Sequence, residues 1–166
     1  MHLIRHIFLV VLFPVAALAQ PTTEEAFSPH QGATALIVRT IGEAQTSVRV
    51  AAYSFTSLPI ADALVQAHQQ GIDVEVVLDK SQSKGRHKLV NFLEANNIPT
   101  RINANYAIMH NKFMIIDGRV LELGSFNYTK AAENKNAENV LVLRDDPQAV
   151  TGYSQQWQKL WDEGKE

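Results

Sequence analysis

Apolar and polar positions along the chain follow two periods that alternate in order. Between Ala33 and Gln45 the apolar residues recur every three or four positions, which predicts a helix, whereas Ser47 to Tyr53 is a short valine-containing run that predicts a strand. The alternation continues with predicted helices from Pro59 to a stop at Gly71 and from Arg86 to Asn96, and with predicted strands at Asp73 to Leu78 and Ile98 to Ile102.

The second half of the chain places strands in closer succession. Two β-rich segments flank Asp117-Gly118, a residue pair that supplies a tight hairpin turn. The predicted elements here are strands at Lys112 to Ile116, Arg119 to Leu123 and Val140 to Leu143, and a closing amphipathic helix at Pro147 to Trp161. Strands interleaved with helices predict an α/β fold in which a mixed central β-sheet is flanked by helices.

The N-terminal residues have the three parts of a secretory signal peptide. Residues 1–19 contain a positively charged start, an apolar run and small residues at Ala17 and Ala19, so we expect cleavage after Ala19 and export to the periplasm or the medium. A retained membrane anchor is the alternative, although the apolar run is short for a bilayer span. The polar segment 20–27 shows no periodicity and is predicted to be a flexible leader, which leaves residues 28–166 as one domain.

Composition narrows the chemistry that the chain can perform. The 166 residues include no cysteine, which excludes disulfides, thiolate catalysis and cysteine-based zinc sites. The formal net charge of −2 predicts no general affinity for polyanions, so a nucleic-acid substrate would require a local basic patch. The candidate patch, which is equally typical of a solvated helix start, consists of Lys80, Lys84, Arg86, His87 and Lys88.

Residues that suit phosphate chemistry are concentrated between positions 110 and 139. His110 and Lys112 are two apart, so on an extended strand a nitrogen nucleophile and a cation project from the same face. Ser125 and Asn127 are also two apart, and the preceding Gly124 permits close backbone approach, so a second strand end could present a hydroxyl and an amide to the same anion. Glu138 begins another strand that could reach the His110 ring.

This spacing resembles the signature of the phospholipase D superfamily, in which H-x-K-x4-D is followed after six residues by G-S. The likeness extends outward through RVAAYSFTS, YAIMHNKFMIIDG, GSFNYTKAAE and NAENVLVL, and it covers nearly the whole chain after the predicted signal peptide. The signature residues here are His110, Lys112, Asp117, Gly124 and Ser125, with Asn127 completing the G-S-x-N form of the small bacterial nuclease branch.

The resemblance implies a phospholipase D/nuclease-like α/β sandwich and a role for each matching residue. His110 would attack phosphorus and form a phosphohistidine, while Glu138 would accept the other ring N–H and fix the tautomer. Lys112 and Asn127, helped by Ser125, would stabilise the charge on the phosphoryl oxygens, so neither a metal ion nor another cofactor is expected. Asp117 and Gly124 are interpreted as structural members of the motif, as a turn residue and a close-approach residue.

One histidine cannot readily serve as nucleophile and as proton donor to the leaving oxygen in the same step. Larger members of the superfamily carry two copies of the motif, whereas this chain carries one copy. The resemblance therefore implies a homodimer with a composite active site, in which two His110 residues face each other across a two-fold axis.

Three functions remain open at this stage. The first is a nonspecific, metal-independent endonuclease on DNA or RNA, and the second is a phospholipase D that hydrolyses head groups of phosphatidylcholine or cardiolipin. The third is a catalytically silent nucleic-acid-binding module. The sequence shows no exposed amphipathic or multi-aromatic membrane-docking segment, which favours nucleic acid and predicts no stable membrane insertion.

Overall fold

A computed structural model describes residues 20–83 and 88–165, which form a seven-stranded sheet and five α-helices. The strands are β1 (Thr22–Ser28), β2 (Ser47–Ala52), β3 (Asp73–Asp79), β4 (Thr100–Asn103), β5 (Lys112–Ile116), β6 (Val120–Gly124) and β7 (Glu138–Arg144). The helices are α1 (Ala33–Gly42), α2 (Leu58–Gln69), α3 (Lys88–Ala95), α4 (Lys130–Asn134) and α5 (Pro147–Glu163). The predicted α/β fold with a mixed central sheet is confirmed.

The order of the strands fixes which chain segments meet. The sheet runs β1-β7-β6-β5-β2-β3-β4. Strands β2, β3 and β4 are parallel to one another, as expected for strands joined by helical crossovers, whereas β2–β5, β5–β6, β6–β7 and β7–β1 are antiparallel. As a result, the ends of β2, β3 and β6 lie at the same edge of the sheet as the starts of β5 and β7.

Helices cover both faces of the sheet, each through its apolar side. Buried residues of α1, α2, α3 and α4 join one hydrophobic cluster with one face of the sheet. Helix α5 covers part of the other face, where Val150, Trp157 and Leu160 pack with Phe113 and Leu121. Most of this helix is polar, and it packs through the single stripe that its three- and four-residue spacing predicts.

The segment predicted to be a flexible leader is a strand, so that prediction is wrong from Thr22 onward. Thr22–Ser28 pairs antiparallel with β7 along its whole length, and its charged residue Glu24 forms ion pairs with Arg39 and Arg144. The segment lacks a hydrophobic alternation because it is an edge strand, and only Ala26 and Ser28 are buried. The folded domain thus begins before residue 28.

Other boundaries differ by smaller amounts. Helix α1 ends at Gly42, three residues before the predicted end, and the short helix α4 and a 3-10 turn at Lys80–Gln82 were not predicted. The predicted signal peptide at residues 1–19 lies outside the described residues. No helix in the described part of the chain is long and apolar enough to cross a bilayer.

Asp117 does more than turn the β5–β6 hairpin. It has a positive φ of 54°, as the predicted Asp-Gly turn requires, and its carboxylate accepts hydrogen bonds from the backbone N–H groups of Gln45, Thr46 and Ser47. Desolvation opposes ionisation of this carboxyl, but the hydrogen bonds outweigh it and lower its pKa. Asp117 therefore ties the hairpin to the start of β2, at the end of the sheet opposite to His110.

Glu122 and Tyr128 form a fully buried polar pair beneath the C-terminal end of β6. The Tyr128 hydroxyl donates a hydrogen bond of 2.6 Å to Glu122 Oε2. Burial raises the pKa of Glu122 to about 8, although the hydrogen bond from Tyr128 acts in the opposite direction. The folded chain consequently holds a proton on Glu122 at neutral pH that the unfolded chain has released.

This pair predicts a pH dependence of stability that Glu122→Gln should remove. Because the pKa is raised on folding, the folded state binds the extra proton between the ordinary value of 4.5 and about 8, and the free energy of unfolding falls as pH rises through that window. We expect chemical denaturation to show that the free energy of unfolding of wild type falls between pH 5 and pH 8 by at least about 2 kcal/mol more than that of Glu122→Gln. Parallel pH profiles for the two proteins would contradict the assignment.

Candidate active site

Strand direction brings the predicted site residues together. His110 and Lys112 lie at the start of β5, Ser125 and Asn127 follow the end of β6, and Glu138 is the first residue of β7. Because β6 is antiparallel to both β5 and β7, these positions meet at one edge of the sheet. All five residues line one cavity of about 510 Å³, the candidate pocket, together with Asn111, Gly124 and Tyr153.

His110 and Lys112 are in direct contact. Lys112 Nζ lies 2.9 Å from His110 Nδ1 and donates a 2.8 Å hydrogen bond to the His110 carbonyl oxygen. Lys112 is buried and His110 is exposed, so the imidazole is the outer member of the pair. Burial lowers the pKa of Lys112, and the Glu138 carboxylate partly offsets this effect. The pair combines a nucleophile that a substrate can reach with a cation fixed behind it.

Glu138 contacts Ser125 within the chain instead of the His110 ring. Ser125 Oγ donates a 2.6 Å hydrogen bond to Glu138 Oε2, and Asn136 Nδ2 donates one of 3.0 Å to Oε1. No hydrogen bond joins Glu138 to His110 in the described part of the chain, where Nδ1 faces Lys112. The predicted contact between carboxylate and imidazole is therefore absent from this arrangement of the single chain.

Asn127 retains hydrogen-bonding capacity that the described residues do not use. Its Oδ1 atom is buried and has no partner among them, whereas its backbone oxygen accepts a 2.6 Å hydrogen bond from Thr129 N. Most buried polar atoms in folded proteins are paired, so an unpaired amide oxygen in a pocket marks a group available to a ligand. This oxygen can pair only with a donor, whereas a phosphate oxygen would have to accept a hydrogen bond from the Nδ2 group of the same amide.

Gly124 is required by the close approach of β6 and β7. A Cβ atom at this position would collide with the carbonyl oxygen of Asn139 and would lie 3.0 Å from its carbonyl carbon and 3.2 Å from Val140 Cα. These are backbone atoms of a paired strand, which cannot move aside cheaply. The glycine thus lets β6 run directly into the turn that carries Ser125.

Asp79 positions the loop before His110, a role that sequence reasoning missed. Its carboxylate accepts a 2.7 Å hydrogen bond from Met109 N and a 2.8 Å hydrogen bond from Ser81 N. Desolvation opposes ionisation of Asp79, but these hydrogen bonds outweigh it and lower its pKa. The available signal was an aspartate at the carboxyl end of an apolar strand, a position that commonly carries functional residues in α/β sheets.

Tyr53, the last residue of the strand predicted at Ser47 to Tyr53, is a further residue of the site. Its ring centroid lies 4.6 Å from that of His110, and Lys112 Nζ lies 5.4 Å from the centroid of the Tyr53 ring. Its backbone N–H donates a 2.9 Å hydrogen bond to the carbonyl oxygen of Asn111. The residue that follows β2 therefore packs against both members of the His110–Lys112 pair.

The basic cluster is only partly described. Lys80 is exposed, and its Nζ donates a 2.9 Å hydrogen bond to the carbonyl oxygen of Tyr106 in the loop before His110. Lys88 is exposed at the start of α3. The other members, Lys84, Arg86 and His87, lie outside the described residues. Lys80 thus places one positive charge beside the loop that leads into the candidate pocket.

No group of three or more histidine, aspartate or glutamate side chains within residues 20–83 and 88–165 is arranged to hold a metal ion. The candidate pocket contains one carboxylate, Glu138, which is already hydrogen-bonded to Ser125 and Asn136. Its cation is Lys112, which a phosphate oxygen could approach directly.

Comparison of the sequence with known proteins finds relatives that carry phospholipase D-like or cardiolipin-related names. Residues 37–161 match the family model described as "Cardiolipin synthase, PLD-like domain". The phospholipase D of Rickettsia conorii is 32% identical over 145 residues, which cover 87% of this chain and 72% of that protein. The mitochondrial cardiolipin hydrolase of Chlamydomonas reinhardtii is 35% identical over 122 residues, covering 74% of this chain and 54% of that protein.

Solved structures that resemble this chain include a member of the phospholipase D family. Nuc from Salmonella typhimurium, a phospholipase D family member, superposes with a TM-score of 0.84 at 38% identity, covering 88% of this chain and 97% of Nuc. NucT from Helicobacter pylori superposes with a TM-score of 0.78 at 26% identity, covering 87% of this chain and 98% of NucT. Both solved chains are thus matched over almost their whole length.

Proposed function

Because the chain belongs to the phospholipase D superfamily of phosphodiester hydrolases, we propose that it is a metal-independent nuclease in which His110 forms a phosphohistidine intermediate. The observation that carries the proposal is the direct contact between His110 and Lys112 in a pocket that also contains Ser125, Asn127 and Glu138. A catalytically silent nucleic-acid-binding module would need neither the nucleophile nor the carboxylate, so that function explains these residues less well than a nuclease does.

Substrate binding would switch the partner of Lys112. Its ammonium group lies against His110 Nδ1, and as the donor to that atom it leaves the ring proton on Nε2. A phosphate oxygen is a stronger acceptor for the ammonium than a neutral imidazole is. Once Lys112 turns to the phosphate, Nδ1 can carry the ring proton and donate a hydrogen bond to Glu138, whose carboxylate lies in the same pocket. The lone pair on Nε2 then becomes available for attack.

The first chemical step would be an in-line displacement at phosphorus. A bond forms between His110 Nε2 and phosphorus as the bond between phosphorus and the leaving oxygen breaks. Lys112 and the Asn127 amide would hold the phosphoryl oxygens, on which negative charge accumulates. Ser125 would keep Glu138 in place through the hydrogen bond that the two residues already share. The leaving oxygen takes a proton from a second imidazole.

We assign that second imidazole to His110 of another copy of the chain. One copy would attack while the other protonates the leaving alcohol, and the latter would then remove a proton from the water that hydrolyses the phosphohistidine. The active unit is accordingly a two-fold symmetric homodimer. The His110 side chain is exposed at one edge of the sheet, as a residue that meets a second copy has to be.

Nucleic acid is the favoured substrate because of the positive charge beside the candidate pocket. The large hydrophobic side chains that are exposed in the described part of the chain are Phe27, Leu58 and Ile108, and each lies near a strand end at the edge of the sheet that carries the candidate pocket, so they count toward a lipid surface. Lys80 beside the His110 loop supplies a positive charge that suits a neighbouring phosphate.

A phospholipase is the second candidate, and the relatives favour it. The matched Rickettsia proteins are named phospholipase D, and other matched proteins are named mitochondrial cardiolipin hydrolases. Both substrate classes present a phosphodiester to the same residues, so the groups around the pocket have to distinguish them.

The decisive assay compares three substrates with and without EDTA. We expect nicking of supercoiled plasmid that persists in EDTA, with little release of head groups from vesicles of phosphatidylcholine or cardiolipin. Loss of nicking on chelation would contradict the metal-independent mechanism. Hydrolysis of the lipids without nicking of the plasmid would show that the protein is a phospholipase and would contradict the nuclease proposal.

Subunit mixing tests the composite site. If both copies of His110 are needed, a dimer containing one His110→Asn chain is inactive. After complete exchange of equal amounts of wild-type and variant chains, about one quarter of the dimers remain fully wild type, so the activity per amount of total protein should be about one quarter of that of wild type alone. Activity of about one half would show that one chain suffices.

Export completes the proposal. We propose that residues 1–19 direct the chain across the cytoplasmic membrane and are removed, so that the nuclease acts in the periplasm or outside the cell. Mass spectrometry of the exported chain should find Gln20 as its first residue, whereas an intact N-terminus in a membrane fraction would indicate a retained anchor.

A further inference from the structure

A second cavity adjoins the candidate pocket on the side of helix α5. It has a volume of about 600 Å³, within the range of roughly 300–1,000 Å³ that is usual for small-molecule sites. We call it the α5 pocket, and its lining residues are Asn111, Asp146, Gln148, Gly152, Tyr153 and Gln156, together with Ala149. Asn111 and Tyr153 also line the candidate pocket, so the two cavities share walls.

The lining of the α5 pocket includes several side-chain amides and no cation. Asn111, Gln148 and Gln156 offer amide donors and acceptors, and none of the lining residues is a lysine or an arginine. Asp146 is the one carboxylate, and it accepts a hydrogen bond of 3.0 Å from Ala149 N at the start of α5. This charge pattern disfavours a second phosphate and favours an uncharged polar group that is attached to the phosphate in the candidate pocket.

Tyr153 provides an aromatic surface at the junction of the two cavities. Its ring packs edge-to-face against Phe113, with the centroids 4.9 Å apart, and the side chain is partly exposed. A ring held in this way can stack with a nucleobase without sequence preference. Recognition of a quaternary ammonium head group would instead call for a cage of several aromatic rings, and Tyr153 is the single aromatic residue in the lining.

Gly152 is a glycine that packing does not require. It lies in the interior of α5, where glycine destabilises a helix relative to alanine, and a Cβ atom there would meet nothing within 4 Å. The missing side chain instead leaves space in the α5 pocket. A larger residue at this position would enter the cavity without colliding with the rest of the chain.

From the shared walls, the amides, the aromatic ring and the open glycine, we infer that the α5 pocket binds a nucleoside adjoining the scissile phosphate. The inference rests on the proposed nuclease function and adds a subsite to it. Tyr153 would stack on the base, and Gln148 and Gln156 would contact its polar edge. The phosphate would remain on Lys112 in the neighbouring cavity.

The test fills the α5 pocket and compares two substrates. The variant is Gly152→Leu, and the matched control is Gln155→Leu, an exposed position on the same helix that does not line the pocket. The substrates are the dinucleotide TpT, which carries a nucleoside on each side of its phosphodiester, and methyl p-nitrophenyl phosphate, which carries none. We expect Gly152→Leu to lower kcat/KM for TpT about tenfold more than for the small ester, and Gln155→Leu to change neither.

The outcomes separate failure of the subsite from failure of the proposed function. Equal losses on both substrates, with wild type active on both, would overturn the subsite alone. A wild-type protein that cleaves phosphatidylcholine but not TpT would overturn the nuclease and the nucleoside assignment together. Light scattering provides a further check, because a Gly152→Leu variant that has become monomeric would assign this surface to contact between chains and overturn the subsite.

Discussion

Replacing His110 with asparagine should lower kcat/KM for plasmid or dinucleotide hydrolysis by about 10⁴-fold or more, because it removes the imidazole that we assign as the nucleophile and leaves a side chain that cannot attack phosphorus. Asparagine is polar and similar in size to part of the imidazole, and His110 is exposed, so the fold should not change. Initial rates at saturating and subsaturating substrate, together with circular dichroism, measure the effect and check the fold.

A matched control is available at His30. This residue is exposed, lies outside the candidate pocket and has a positive φ of 61°, a conformation that asparagine tolerates well. His30→Asn should retain wild-type activity. A His110→Asn protein that is folded and keeps more than about one hundredth of wild-type activity would contradict the assignment of the nucleophile.

Replacing Lys112 with glutamine should lower kcat by about 10²- to 10³-fold. The ammonium group is fixed behind His110 and would hold a phosphoryl oxygen more tightly as negative charge develops on it, so its loss should act mainly on the transition state. Glutamine keeps a hydrogen-bond donor but removes the charge. Steady-state kinetics should therefore show a fall in kcat that exceeds any rise in KM.

Lys135→Gln is the control for this charge change, since Lys135 is exposed and does not line the candidate pocket. It should behave as wild type. A Lys112→Gln protein with wild-type kcat and a raised KM would show that the ammonium group serves only to bind substrate, which would contradict its role in stabilising the transition state.

Local spacing was sufficient to predict much of the site. His110 and Lys112 are two positions apart at a strand start, and Ser125 and Asn127 follow a hairpin strand, so a β5–β6 hairpin alone brings these two pairs to the same edge. The Asp-Gly turn that sets the hairpin register can be read from the sequence. These contacts depend on a short stretch of chain and on the geometry of one turn.

Contacts between distant segments could not be predicted in the same way. The edge strand Thr22–Ser28 gains its structure from pairing with β7, more than 100 residues later, and its own sequence lacks the alternation typical of a strand. The hydrogen bond from Met109 N to Asp79 depends on the β4 crossover, and the position of Tyr153 depends on how α5 packs across the sheet. Strand order and helix packing decide these contacts.

The orientation of Glu138 was also beyond the reach of the sequence. Spacing places its carboxylate near His110, Lys112 and Ser125 but does not choose among them, and the structure pairs it with Ser125. A choice of this kind depends on the rotamers of the side chains, which spacing along the chain does not specify. It also depends on the charge that a bound phosphate adds to the pocket.

The most direct test of the account is capture of the covalent intermediate. Wild-type protein mixed with excess dinucleotide and quenched rapidly at alkaline pH, where phosphohistidine survives, should yield a peptide that contains His110 and carries one nucleotidyl group by mass spectrometry. His110→Asn should yield no adduct. An adduct on a different residue, or multiple turnover by wild type with no adduct at any quench time, would contradict nucleophilic attack by His110.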